Sequence, residues 1–297
     1  MSNKNIIHFI GQIGLGGTEK QLYLFLKYFK KDNISHSVVV FNSSRYGDFE
    51  NKLHSLGVKL YYIPESKNSI KKKLLFLFKL VRMVKPSIIY SWTVYDNAYA
   101  GIISKIFNIK SIGSVRGSLI NTGFSKISNL MKYACIRSVS LMVINAYEFK
   151  NELTDFGLKS DKIKYMPNFV ELNNMKNDFK KNQKIIISTI GNLRKNKNHS
   201  LFIEIMQGII DSYPNANGWI IGQPVDDEPE TEIDLLDQIK LMGLNNNVSL
   251  LGFQDDTLKL LRKSNVFVLT SLSEGTPNAV LEAMSIGLTV VTSNVGG

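Results

Sequence analysis

NVFVLTSLSEGTPNAVLEAMSIGLTVVTSNVGG, residues 265–297, shows two different periodicities in one stretch. Val266 to Leu269 is a short β-branched and aromatic run of the kind that builds a buried strand. The turn Ser273-Glu274-Gly275 follows, and Thr276 then reads as a helix N-cap. Pro277 takes the first helical position, where its missing N–H costs nothing. Val280, Leu281 and Met284 give that helix a core side. Glu282 points away from them, roughly 7 Å along the axis from Pro277 at 1.5 Å per residue. LTVVTS, 288–293, is a second strand, so the stretch is a βαβ unit and predicts a parallel sheet.

The same alternation runs back through the chain. Strands are expected at 6–11, 36–41, 59–64, 87–92, 111–116 and 140–145, separated by helices at 18–30, 46–56, 69–85, 95–107, 125–138 and 147–156. A second series has strands at 184–191, 218–223, 248–253, 265–271 and 288–293, with helices at 198–212, 231–242, 255–264 and 277–286. Between them KIKYMPNFVELNNMKNDFKKNQK, 162–184, is rich in Asn and Lys, loses its apolar rhythm after Val170, and reads as a linker. The expected fold is α/β: two Rossmann-like domains, residues 1–168 and 185–297, joined by 169–184. A length of 297 residues agrees, being more than one core usually organises. Two such domains facing one another leave a crevice at the carboxyl ends of their strands, where doubly wound folds bind ligands.

Composition narrows the function classes. Residues 1–171 hold 25 Lys/Arg against 11 Asp/Glu, and residues 172–297 hold 11 against 14, so the net charge of +11 sits in the first half. Nucleic acid, a membrane surface and a phosphorylated substrate all suit such a half, and charge alone does not choose. The lone Cys135 lies in an apolar run, which excludes an internal disulfide framework and fits a buried thiol in a reducing compartment. The first residues lack the apolar run of a secretory signal, and no segment supplies the roughly 18 uncharged apolar residues of a membrane span. A cytoplasmic location is expected.

Three loops after strands carry candidate chemistry. GQIGLGGTEKQL, 11–22, lacks the Gly-Lys-Ser/Thr of a phosphate loop, and Glu19 stands where a dinucleotide fingerprint has its third glycine. What remains is a Gly16-Gly17 turn whose amides approach a phosphate, with a helix N-terminus behind it; a plain strand-to-helix turn fits the same residues. GNLRKNKN, 191–198, places Arg194, Lys195 and Lys197 ahead of a helix, which suits a diphosphate and equally a solvated loop. In the opening stretch, Glu274 and Glu282 bracket a helix start whose amides favour an anion. Carboxylates beside a diphosphate repel it unless they serve sugar hydroxyls, so the arrangement fits a nucleotide-sugar: Glu274 for the sugar, Gly275 to Asn278 (with Thr276 and Pro277) for the diphosphate, Glu282 for the ribose. The acidic run Asp226-Asp227-Glu228, with Glu230 and Glu232, lies between or beside Pro224 and Pro229 without a histidine; it reads as a solvated loop, and no metal is expected.

The full pattern E-G-x-P-N-x-x-L-E-A-M-x-x-G resembles the donor-binding signature of retaining glycosyltransferases of family 4. GGTEKQL, GNLRKNKNHSLFIEI, VSLLGFQDD and MPNFVE resemble the family's other landmarks in order, so the likeness covers essentially the whole chain. The resemblance implies the two-domain GT-B fold, with an acceptor-binding first domain and a nucleotide-sugar-binding second domain. It assigns Glu274 to the donor sugar, Glu282 to the ribose, Lys197 to the diphosphate and Gly17 to the phosphate approach, with a UDP- or GDP-sugar as substrate and no other cofactor. The chain departs from the pattern at Asn192, where the family often has Arg, leaving Arg194 to compensate. It departs again at Arg116, where a His is frequent; Arg116 can hold a phosphate or acceptor oxygen but is a poor proton acceptor.

Partners follow from the same likeness: a saccharide acceptor, expected to be lipid-linked, in surface polysaccharide or lipopolysaccharide assembly, and no nucleic acid. Residues 69–85, SIKKKLLFLFKLVRMVK, put Lys71, Lys72, Lys79 and Arg82 on one helical side with Leu75, Phe76 and Met83 on or beside it. That suits weak contact with an anionic membrane surface, and a core helix with a snorkelling basic face has the same pattern. Trp92, Tyr95, Asp96 and Asn97, after the strand SIIYSW, either shape an acceptor site or pack as an ordinary loop. Related enzymes continue beyond Gly296-Gly297 with further elements, so the second domain is expected to be incomplete. A nucleotide-sugar 2-epimerase of the same fold and an inactive truncated remnant are the alternative readings.

Overall fold

The computed structural model describes residues 4–14, 16–29, 33–42, 49–67, 69–119, 127–172 and 184–296. They form two compact units, one running to Asn168 and one spanning Phe169–Gly296. Residues 173–183 of the expected linker, and the starts of the helices expected at 46 and 125, lie outside the described residues.

In the first unit, strands β1 (Lys4–Ile10), β2 (Ile34–Val40), β3 (Lys59–Tyr62), β4 (Ile88–Ser91), β5 (Lys110–Val115), β6 (Leu141–Ile144) and β7 (Ile163–Tyr165) make one parallel sheet in the order β3-β2-β1-β4-β5-β6-β7. Helices α1 (Gly17–Tyr28), α2 (Phe49–Ser55), α3 (Ile70–Val84), α4 (Asp96–Phe107), α5 (Asn129–Arg137) and α6 (Phe149–Asp155) connect them. Alternation along β1 explains why both faces are covered. Ile7 and Phe9 enter the layer with Leu77, Leu80 and Val81 of α3 and Ile103 of α4. Ile10 enters the layer with Leu22 and Leu26 of α1 and Leu53 of α2.

One sequence expectation is corrected here, and one left open is narrowed. The stretch read as linker begins with a strand, β7; three residues at a sheet edge, with only β6 to pair and only Ile163 buried, are too few to show a period. Trp92 and Asn97, for which the sequence leaves an acceptor site and ordinary packing both open, are fully buried. The Trp92 indole donates to His8 Nδ1 at 3.0 Å, which leaves the proton of that ring on Nε2, 3.0 Å from His36 Nδ1. Burial pulls both imidazoles below their ordinary range, so the chain Trp92-His8-His36 is neutral and structural. Asn97 acts as an extra ladder rung: β4 stops pairing at Tyr90, and the Asn97 amide takes both the N–H and the carbonyl of Ser114 on β5, each at 3.1 Å.

The second unit repeats the plan with β8 (Ile186–Ile190), α7 (His199–Ser212), β9 (Asn217–Ile221), α8 (Glu230–Leu241), β10 (Val248–Leu250), α9 (Thr257–Leu261), β11 (Val266–Leu269), α10 (Asn278–Ser285) and β12 (Thr289–Thr292). The sheet is parallel, in the order β10-β9-β8-β11-β12. Strand β11 divides its side chains as the opening stretch demands. Val268 faces the layer of α7 and α8, while Phe267 and Leu269 face Leu261, Ala283 and Ile286 on the side of α9 and α10. The chain turns from one side of this sheet to the other between β8 and β11, and that reversal places their following loops side by side.

Candidate functional site

The two loops at this reversal are stitched together by their backbones. Leu272 N–H donates to Asn196 carbonyl at 2.8 Å, and Thr270 Oγ donates to the carbonyl of Lys197 at 3.1 Å. Across the seam Lys197 Nζ meets Glu274 Oε1 at 2.6 Å, with side chains 23% and 10% exposed. Ser271 Oγ donates to the same Oε1 at 2.6 Å. Two of the residues singled out in the sequence, 77 positions apart, are thus direct partners. Removing one member of so enclosed a pair leaves a charge in a poorly hydrated place, which costs about 3–5 kcal/mol where measured.

Glu274 leads directly into α10. The helix starts one residue later than the sequence indicates: Pro277 is extended, with φ −73° and ψ 117°, and its carbonyl accepts from Leu281 N–H, so the cap is Pro277 rather than Thr276. Gly275 and Thr276 are buried, and Asn278 is the first helical residue. The helix is also rotated relative to expectation. Met284 is 61% exposed, the core side is Ala279, Val280, Ala283 and Ile286, and Glu282 is buried. Thr257 Oγ, at the start of α9, donates to Glu282 Oε2 at 3.3 Å. Ala283 is fully buried on the inner face, packed with Phe267, Leu269 and Ile286.

The turn is also pressed from behind. Gly296 has φ +80°, and a Cβ there would lie 2.2 Å from the Gly275 carbonyl oxygen and 2.9 Å from that of Glu274. Only glycine satisfies both conditions. The Gly-Gly at 296–297 therefore has a local role at its first member: it lets the segment after β12 lie against the Glu274-Gly275 turn.

Arg194 is placed differently from Lys197. Its guanidinium pairs with Asp227 at 2.8 Å and Glu228 at 3.3 Å, while Lys195 donates its backbone N–H to Glu228 and its Nζ to Glu230. The acidic run read as a solvated loop thus clasps the loop after β8. These pairs are exposed, and pairs of that kind contribute about 0–1 kcal/mol each, so they position the loop more than they stabilise the fold. Asn192 is exposed. His199, the first residue of α7, is buried and donates Nε2–H to the Gly191 carbonyl at 3.2 Å. Burial pulls its pKa down to about 4.

The first unit holds the remaining candidates. Gly16 caps α1 and Gly17 begins it. A Cβ on Gly16 would lie 2.3 Å from Glu19 Oε2, because the buried Glu19 carboxylate folds back onto the loop. Burial raises its pKa, opposed by bonds from the backbone of Glu19 and Gly14 and the side chain of Gln12. An internal carboxylate thus already faces some of the amides that sequence reading offers to a phosphate. Arg116 stacks on Trp92, 4.4 Å from the ring, and donates to Asn168 Oδ1 at 3.0 Å. Asp96 is buried beside Thr93, whose hydroxyl donates to it, and burial raises its pKa to about 7; Tyr95 is exposed. Cys135 is fully buried and stays a thiol, its pKa raised to about 11 by burial.

Sequence reasoning missed Ser271, Thr270 and Thr257. Ser271 had a signal, since a serine three residues before a glutamate in one turn is within reach of it; Thr257 had none, lying 25 residues from Glu282.

Residues 15–174 match the family described as Glycosyltransferase Family 4, and residues 171–297 match Glycosyl transferases group 1. An uncharacterized glycosyltransferase of Methanocaldococcus jannaschii is 30% identical over 76% of this chain, which spans 60% of that relative's length. The UDP-Gal:alpha-D-GlcNAc-diphosphoundecaprenol alpha-1,3-galactosyltransferase of Escherichia coli is 26% identical over 81% of the chain and 67% of its own length. The crystal structure of Anabaena HepE in complex with UDP-glucose has the same fold, with a TM-score of 0.81, 19% identity, and coverage of 99% of this chain and 81% of that one.

The histidine contact generates a pH dependence. Unfolded, His199 binds a proton below about 6.5; folded, it does so only near 4, so its contribution to stability is complete above 6.5 and is lost as pH falls between those values. His199→Gln, which keeps an N–H donor but does not titrate, is expected to flatten the urea-unfolding free energy against pH between about 4.5 and 6, by up to about 1.4 kcal/mol per pH unit. An unchanged slope contradicts this.

Proposed function

The chain belongs to glycosyltransferase family 4, and from that premise we propose that it transfers a hexose-type sugar from a nucleotide-sugar to a saccharide acceptor with retention at the anomeric carbon. The observation that carries the reading is the Lys197–Glu274 contact at the strand reversal, immediately ahead of α10. A cation and a carboxylate enclosed together at a helix N-terminus suit a ligand that is anionic at one end and rich in hydroxyls at the other. Lys197 and the amides at the start of α10 take the diphosphate, Glu274 the transferred sugar, and Glu282 the ribose. The UDP-glucose bound by the Anabaena neighbour is a ligand of this kind.

As the sugar–phosphate bond breaks, charge grows on the leaving nucleoside diphosphate, and the lysine and fixed amide dipoles stabilise it where they already stand. The acceptor attacks from the same face and its proton passes to the donor phosphate, so a pair of carboxylates at hydrolase spacing is not needed. Arg194 is held by Asp227 and Glu228 and serves to fix the loop that presents Lys197. The Gly16-Gly17 amides are assigned to the approach of the diphosphate, and Arg116 to a phosphate or acceptor oxygen.

A lipid-linked saccharide is the acceptor class we infer, supported by the diphosphoundecaprenol acceptor in the name of the Escherichia coli relative. Contact with an anionic bilayer surface goes with it. On α3, Lys71, Lys72, Lys79 and Arg82 are exposed next to exposed Ile70, Leu75 and Met83, whereas Phe76 turns inward against the core. No helix among the described residues is long and apolar enough to cross a membrane.

Radiolabelled UDP- and GDP-sugars incubated with saccharide acceptors are expected to yield a glycosylated product; release of epimerised free sugar would support the isomerase instead. Glu282→Ala is expected to weaken calorimetric affinity for the preferred nucleotide-sugar about tenfold, the loss of charge-assisted hydrogen bonds of about 1.5–3 kcal/mol, and unchanged affinity contradicts the ribose assignment. Flotation with liposomes is expected to recover more protein on anionic than on zwitterionic vesicles. Equal recovery removes the membrane contact.

A further inference from the structure

We propose that Ser271 is the positioning residue that keeps Glu274 in place when Lys197 turns to a diphosphate. The inference rests on the donor site described above. Glu274 Oε1 accepts from both Lys197 Nζ and Ser271 Oγ, each at 2.6 Å, while Oε2 carries no hydrogen bond among the described residues. The two donors are not equivalent. A lysine ammonium sits on a flexible four-carbon stem and follows the stronger anion, and a diphosphate carries more charge than a carboxylate. As the ammonium shifts, the carboxylate loses one of its two holds.

Ser271 is built not to follow. It is 1% exposed, its carbonyl accepts from Ser293 Oγ at 2.6 Å, and the next residue is tied through Leu272 N–H to Asn196 carbonyl. Its hydroxyl therefore stays with Oε1 whichever way Lys197 points, and Oε2 stays directed outward as the acceptor for sugar hydroxyls. Ser293 lies just past β12, so the strand after α10 also helps to hold the carboxylate. The consequence is selective. Losing Ser271 disturbs recognition of the sugar and leaves the grip on a bare nucleoside diphosphate intact.

The test is calorimetry on the full chain with two ligand pairs, UDP with UDP-glucose and GDP with GDP-mannose, using whichever pair the wild type binds. Ser271→Ala is expected to raise the Kd of the nucleotide-sugar about tenfold, equivalent to one hydrogen bond to a charged group, while the Kd of the nucleoside diphosphate stays within about twofold. Ser271→Thr, which keeps the hydroxyl, is expected to recover most of the loss. Should the alanine variant fail to fold, Ser271→Cys, close in size and a weak donor, carries the same comparison. Equal losses for both ligands, or no loss for either, overturn the proposal while the donor site stands. A wild type that binds none of the four ligands overturns the donor-site reading and this proposal with it.

Discussion

A partly buried ammonium and carboxylate are held together at 2.6 Å only where the backbone around them is fixed, and the parallel sheet of the second unit supplies that fixity. Its strand order reverses between β8 and β11, so two loops distant in sequence leave the sheet side by side. The backbone bond from Leu272 to Asn196, and the threonine and serine hydroxyls beside it, absorb polar groups that would otherwise be unpaired in an enclosed place. The Lys197–Glu274 contact is what this framework holds in place, and it is the contact on which the proposed donor site rests.

Around that contact the structure grades its charges by burial. Arg194 and Lys195 pair with acids that are for the most part open to solvent, and these pairs hold the loop after β8. Lys197 pairs with an acid that is nearly enclosed, where Coulomb interactions are stronger and a new anion is felt more. The first unit uses another device: the Trp92-His8-His36 chain and the Asn97 bridge tie buried polar side chains to one another and to the backbone, and serve the fold. Glu19, folded over Gly16, shows that even the glycine loop after β1 is partly occupied by the protein's own carboxylate.

Much of this was legible in the sequence because it depends on local periodicity. Alternating β-branched and amphipathic runs place every strand except β7, whose three edge residues are too few to make a pattern. The Ser-Glu-Gly-Thr-Pro turn marks the start of α10 to within one residue, since proline accepts either position at a helix start. What the sequence hides is rotation and long-range partnership. Met284 reads as core and is exposed, while Ala279 and Ala283 form the inner face and Glu282 is buried. Arg194 reads as a phosphate ligand, and nothing local announces the acids more than 30 residues away with which it pairs. Trp92 stays ambiguous in the sequence because nothing local announces the buried imidazole that accepts from it.

The most direct measurement is a crystal structure of this chain with a nucleotide-sugar bound. Its diphosphate is expected within hydrogen-bond reach of Lys197 Nζ and the amides at the start of α10, its transferred sugar on Glu274 and its ribose on Glu282. Well-ordered ligand bound elsewhere, or an intact fold that leaves the start of α10 and the Lys197–Glu274 contact untouched, would contradict the account.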